Sequence, residues 1–154
     1  MENVSGAKQL TKIEKNVIIN AAPEKVWPWI AHEKLPEWFG PFKKVESTSK
    51  EKEGKGATHH MVSELDKIAK AEWEGETTEW VENKMYSWRS TGGHFTGFGS
   101  MILDSVDGGT KFTMIFDYEV PYSLLGKVLD KLRIHHEIER EIEKGLQKLK
   151  AKIE

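Results

Sequence analysis

Histidine stands in two adjacent pairs in this chain, His59 and His60 in "THH" and His135 and His136 in "LDKLRIHHEIER". An imidazole in a dry cleft can take up or release a proton near neutral pH, or orient a ligand through one polar contact. Adjacent residues diverge by about 100° on a helix and point to opposite faces on a strand, so neither pair converges on one metal ion. The remaining side chains with suitable chemistry are Tyr118, His94, Asp104 and Arg89. His135 and Tyr118 are the candidate catalytic residues, either of which could move a proton inside a pocket. Arg89 reads as a surface residue, because a buried guanidinium would need an anionic partner. There is no cysteine, which removes thiolate metal sites, cysteine nucleophiles and disulfides. No phosphate-binding glycine loop, paired-carboxylate signature or nucleophile-plus-base motif is present. No cofactor and no metal are therefore expected.

The elements that would position these groups follow from the pattern. "KIEKNVIIN" reads as a strand, and "AAPEKVWPWIAHEKLPEW" follows with Pro23 at a first helical position. Pro28 lacks the N–H a continuing helix needs, so a short or kinked helix is expected there. "EWFGPF" is a break that carries apolar side chains. From Pro41 to Val120 short β-type runs alternate with turn signals at "EKEGKG", "VENK", "TGGH" and "VDGGT", giving five or six antiparallel strands. "GGHFTGFG" opens no helix and reads as a flexible hairpin at a cavity mouth. From Ser123 onward the period changes to 3.6, as one long C-terminal helix.

The last hairpin can be oriented directly. A two-residue loop within Asp107–Gly109 places Met101 and Leu103 on one face with Phe112, Met114, Phe116 and Tyr118. Asp104, Lys111, Thr113 and Asp117 then lie on the other, wetter face. In "KAEWEGETTEWV", Ala69, Ala71, Trp73 and Val81 are expected inward, and Trp88 of "MYSWRST" is placed inward too. The apolar stripe of the final helix is read as Leu125, Val128, Leu129, Leu132, His135, Ile138, Ile142, Gly145, Leu146, Leu149 and Ile153. His135 thus faces the sheet, and His136 lies on the flank with access to water. Gly145 sits mid-stripe although glycine costs about 1 kcal/mol of helix propensity against alanine. It marks either a close backbone approach or a gap beneath the helix.

Composition bounds the class. With 154 residues the chain suits one domain with a sizeable core, residues 1–11 forming a loosely ordered extension. Its 23 basic residues are interspersed with 25 acidic ones for a net charge of −2, which excludes a nucleic-acid footprint. No apolar run reaches the roughly 20 residues that span a bilayer, and no signal core is present, so a cytoplasmic protein is expected. Six tryptophans and six phenylalanines exceed what a minimal core needs and suggest an aromatic-lined interior.

The order strand, short helices, antiparallel strands, long helix resembles the START-like, helix-grip superfamily. The segments that carry the resemblance are "NVIINAAPEKVWPWIAHEKLPEW", "GSMILDSVDGGTKFTMIFDYEVP" and "LLGKVLDKLRIHHEIEREIEKGLQKLKAKIE". The strand before Ala-Pro-Glu-Lys-Val-Trp, the Gly-Thr before a strand and the Leu-Gly opening the last helix look most like the polyketide cyclase/dehydrase branch. "PEWFGPF" is also similar to a segment of the Hsp90-activator-homologue branch. The resemblance implies an α+β fold: a curved antiparallel sheet of about six or seven strands wrapped around the C-terminal helix, with two short helices after the first strand. It also implies a hydrophobic cavity between sheet and helix.

Three functions are consistent with this. The leading one is binding of a small hydrophobic or aromatic ligand, lipid- or polyketide-like, by Trp73, Trp88, Met101, Leu103, Phe112, Met114, Phe116, Tyr118, Val128, Leu132 and His135. The second is a polyketide cyclase or dehydratase that uses His135 or Tyr118. The third is a protein-interaction module using "PEWFGPF" or the outer helix face, which would expose a contiguous apolar patch.

Overall fold

The computed structural model describes residues 10–65, 69–119 and 131–154. β1 (Thr11–Ile19) leads into α1 (Pro23–Ile30) and a 3₁₀ helix (His32–Glu37). β2 (Phe42–Ser47), β3 (Thr58–Leu65), β4 (Ala69–Val81), β5 (Met85–Gly93), β6 (Thr96–Val106) and β7 (Gly109–Glu119) follow, and α2 (Lys131–Ile153) ends the chain. The seven strands form one antiparallel sheet in the order β1-β7-β6-β5-β4-β3-β2. Among the described residues no helix is long and apolar enough to cross a membrane. The proposed start of the final helix at Ser123, with Leu125, Val128 and Leu129, lies outside the described residues, as does most of the 1–11 extension.

Local chemistry explains the connections. Pro23 begins α1, where its missing N–H is no loss, and α1 ends two residues after Pro28. The β6–β7 hairpin pairs Val106 with Gly109, so Asp107 and Gly108 form the two-residue loop. Gly108 sits at φ +81°, which favours glycine. Met101, Leu103, Phe112, Met114, Phe116 and Tyr118 are all buried on one face. Gly109 has no room for a side chain: a Cβ there would lie 2.1 Å from the carbonyl oxygen of Ile19 on β1. Gly109→Ala is expected to lower stability by about 1–3 kcal/mol through overpacking, read as a shifted urea midpoint.

Two inward assignments are corrected. Trp73 is buried, but Val81 further along β4 is 48% exposed. The pairing with β5 shifts between Thr77 and Glu79, and this β-bulge exchanges the two faces of the strand. Trp80 rather than Val81 turns inward, stacked on Tyr86 at 5.7 Å and meeting Trp27 edge-on at 5.1 Å. On α2, Leu132 is 65% exposed, while Ile134, Ile142, Leu146 and Leu149 are buried and Ile138 and Ile153 pack against them. Counting by four from Ile134 reaches Ile138, Ile142 and Leu146; Leu132 is about 200° behind Ile134 and faces away. Gly145 marks a close approach and not a gap, because a Cβ there would meet Phe39 at 3.1 Å and the Trp38 carbonyl at 3.3 Å.

Candidate functional site

A cavity of about 100 Å³ lies between the sheet and α2. Phe39, Pro41 and Phe42 wall it from the segment entering β2, and Ile134 and Ile138 from α2. Trp73 of β4 and Phe116 and Tyr118 of β7 form the sheet side. Ser63, Glu64, His94 and Glu119 supply its few polar groups, while the surface facing the void is almost all carbon. His94 and Phe95 reach it because the chain reverses after Gly93, at φ +98°, where a Cβ would collide with the Glu72 carbonyl at 2.4 Å. "GGHFTGFG" therefore borders the cavity.

Of the residues expected to bind ligand, Trp73, Phe116 and Tyr118 line this cavity. Trp88 stands behind them, 5.5 Å from Trp73 and 5.6 Å from Phe116. Met101, Leu103, Phe112 and Met114 share the buried face but belong to the packed core, away from the void. Leu132 is turned to solvent, so it takes no part. Val128 lies outside the described residues. Ile138 lies on the stripe read as facing the sheet, whereas the walls missed by pattern reading, Phe39, Phe42, Phe95 and Ile134, come largely from breaks and turns; the apolar density of "PEWFGPF" was the available signal. In that segment Trp38, Phe39 and Phe42 are buried, so their side chains offer no outward patch to a partner.

The candidate catalytic pair meets at the cavity edge. The Tyr118 hydroxyl is 3.3 Å from His135 Nδ1, with His135 half-buried and His136 exposed. Burial, aided by the charge of Glu139 one turn along α2, pushes the Tyr118 phenol up to about 12. The hydroxyl consequently stays protonated at neutral pH and can donate to a developing oxyanion. Glu139 is held by Lys15 of β1 at 3.1 Å, and that hydrogen bond lowers its carboxyl below the ordinary range. Asp104 is exposed on the outer face. Arg89, also exposed, pairs with Glu76 through Nη2 at 2.9 Å.

Of the other histidine pair, His59 is buried and His60 points outward to Glu72 and Glu74. These carboxylates raise the His60 pKa, Glu74 contributing most. His59 meets a buried partner that no local spacing announces: its ring stacks on His32 at 4.1 Å and 16°. His32 Nδ1 lies 3.2 Å from Glu53 Oε2, and His59 Nε2 lies 3.0 Å from the Lys52 carbonyl. A carbonyl only accepts, so His59 Nε2 carries the proton and Nδ1 keeps a lone pair. Burial, then the charge of His32, push the His59 imidazolium down to about 4. Ligand atoms of His32, Glu53 and His59 come within 4.8 Å of one another. Lone pairs lie in the ring planes, and near-parallel planes do not meet at an ion about 2.0–2.1 Å from each nitrogen. As packed, the cluster is a hydrogen-bonded stack.

Known proteins share both the sequence pattern and the architecture. Residues 11–154 match the family described as polyketide cyclase / dehydrase and lipid transport. A protein of Thermus thermophilus has a similar structure, with TM-score 0.76 and 21% identity over 93% of this chain and 97% of that one. A START superfamily protein of Mycobacterium smegmatis gives TM-score 0.74 and 14% identity over 92% and 96% of the two chains. An aromatase/cyclase from Streptomyces gives 0.73 and 16% over 94% of each. No curated protein matches by sequence. At these identities the structural likeness establishes the helix-grip fold alone, whereas the match over nearly the whole length establishes the family: this chain belongs to the polyketide cyclase/dehydrase and lipid-transport family.

Proposed function

We propose that the chain binds a small apolar or aromatic molecule in the cavity between the sheet and α2. The observation that carries this reading is the carbon-walled void itself, since a well-packed interior has few voids larger than a water molecule. Burial of ligand carbon supplies affinity, and the Tyr118 hydroxyl and the polar groups at the rim supply orientation. At about 100 Å³ the void is smaller than the roughly 150 Å³ that accommodates benzene, so a multi-ring ligand must displace wall side chains. Phe42, Trp73 and Phe95 border it, and movement among them should alter tryptophan emission. Titration with fatty acids, fatty alcohols and aromatic polyketones is expected to give saturable fluorescence change and a raised melting temperature for at least one class. A flat response across all three would overturn the reading.

A second reading, cyclisation or dehydration of a poly-keto substrate, is supported by the Tyr118–His135 pair. In it His135 takes an α-proton of the poly-keto chain, the enolate carbon adds to a facing carbonyl carbon as its C=O π bond breaks, the Tyr118 O–H protonates the resulting alkoxide, and His135 returns the abstracted proton to the tyrosinate. Tyr118→Phe is then expected to lower turnover by about 10²–10⁴-fold while leaving binding of an unreactive aromatic ligand within a few-fold. Equal turnover in the two proteins would remove the proton-transfer role and leave binding alone.

A further inference from the structure

A second, much smaller void of about 10 Å³ is bordered by His32 and His59, and Phe42 and Trp73 border both it and the main cavity. We propose that these are two chambers of one ligand site, joined when Phe42 swings aside, and that the site takes an elongated apolar molecule whose leading end is a hydroxyl group seated against His32 and His59. This rests on the apolar-ligand reading above and names the class of ligand.

Phe42 and Trp73 meet edge-on with centroids 6.1 Å apart, so two rings form the partition. They are not equally movable. Trp73 is tethered through its indole N–H to Ser63 Oγ at 3.0 Å, whereas Phe42 has no polar anchor and starts β2 at an irregularity in the pairing with β3. Rotating the Phe42 ring breaks no hydrogen bond.

The far chamber offers a lone pair on a buried imidazole. His59 gives its Nε2 proton to the Lys52 carbonyl, which leaves its Nδ1 as a lone-pair nitrogen, while His32 Nδ1 lies 3.2 Å from the Glu53 carboxylate. His59 Nδ1 has no hydrogen-bond partner among the described residues. The low pKa of His59, near 4, keeps its ring neutral at pH 7. Thr77 adds a buried hydroxyl that lacks a partner among the described residues. It lies two positions along β4 from Gly75, which borders the small void and pairs with His59. A ligand O–H can donate to His59 Nδ1 and accept from the Thr77 hydroxyl at once, whereas a carboxylate or a bare ketone can only accept and leaves the His59 lone pair without a proton. Gly75 leaves the space open: a Cβ there would stand 3.3 Å from the Trp73 ring.

The test compares 4-hexylphenol with its methyl ether, 4-hexylanisole, in fluorescence titrations of the full chain at pH 7.5. The phenol is expected to bind about tenfold tighter, since the ether cannot donate to His59 Nδ1. His59→Phe should bring the two affinities together, and Gly75→Ala, which keeps both histidines but narrows the chamber, should also erase the preference. Melting curves of both variants establish that they fold, and the two act by different means. A preference that survives both substitutions, or that His135→Phe removes instead, overturns the proposal by placing the polar end at the other side of the cavity. Equal binding of phenol and ether by the unmodified protein overturns it while sparing the apolar cavity. Binding of neither compound overturns the proposal, and removes the parent reading as well where fatty acids, fatty alcohols and aromatic polyketones also give a flat response.

Discussion

Trp73→Ala is expected to cost about 3–5 kcal/mol of stability and to create a site for free indole. Trp73 is buried and packs on Phe42 at 6.1 Å, Trp88 at 5.5 Å and Phe95 at 4.6 Å. Truncation loses those contacts and leaves a hole, the combination that makes large-to-small core changes expensive. The hole would join the two voids that Trp73 now borders. Ser63 Oγ loses its indole donor but is only half-buried and can turn to water, so the apolar terms dominate. Indole fits the deleted volume, and at about 100 times its Kd it should return about 2.7 kcal/mol by mass action. Urea unfolding with and without indole measures both effects. A loss below about 1 kcal/mol would mean that the neighbouring rings close over the gap, and absence of rescue would mean that the two voids do not merge.

The parts of the fold readable beforehand were those governed by local periodicity. Alternation along β6 and β7, together with one turn, identified the buried face from Met101 to Tyr118, because register follows once the loop length is known. Errors arose where a distant element decided the outcome. Val81 obeyed the alternation of β4 until the bulge at Thr77–Glu79 reversed it, and no residue type in "GETTEWV" marks that bulge. Leu132 satisfied a three-and-four spacing with its neighbours as well as Ile134 did; contact with the sheet selected Ile134. The cavity walls divided the same way. Trp73, Phe116 and Tyr118 were legible from strand parity, whereas Phe39, Phe42 and Phe95 sit in irregular segments without a period to follow.

Polar placement shows the same limit more strongly. That one of His59 and His60 must face inward follows from strand geometry, but the choice was made by what each side offers. His60 finds two carboxylates on β4, while His59 finds the His32 ring and the Lys52 carbonyl. His32 comes from the 3₁₀ helix and Glu53 from the β2–β3 connection, so the cluster exists only in three dimensions. Tyr118 and His135 were singled out separately, on strand and helix, and their 3.3 Å contact joins the two arguments at the cavity edge.

Acidification from pH 7.5 to 4 is expected to remove about 3 kcal/mol of stability through His59 alone. Its folded-state pKa lies near 4 against an ordinary value of 6.5, chiefly because burial penalises the imidazolium and because His32 stacks beside it, with Glu53 pulling the other way. A lowered folded pKa means that the unfolded chain binds the proton more tightly. This contribution is therefore fully present above about pH 6.5, declines as pH falls toward 4, and levels off below it. A gap of about 2.5 in pKa, at 1.36 kcal/mol for each whole step, gives the stated size. His60 works in the opposite sense, since Glu74 and Glu72 raise its pKa and stabilise its charged form, so the net curve will be shallower than His59 dictates. His59→Gln isolates the effect. Glutamine can still donate to the Lys52 carbonyl but cannot titrate, and His60 and the carboxylates are common to both proteins. The difference in unfolding free energy between the two should change by about 3 kcal/mol between pH 7.5 and 4, with the original protein losing more. Parallel pH profiles would mean that the buried imidazole accepts its proton without penalty, through an opening of the stack that lets water reach His32 and His59.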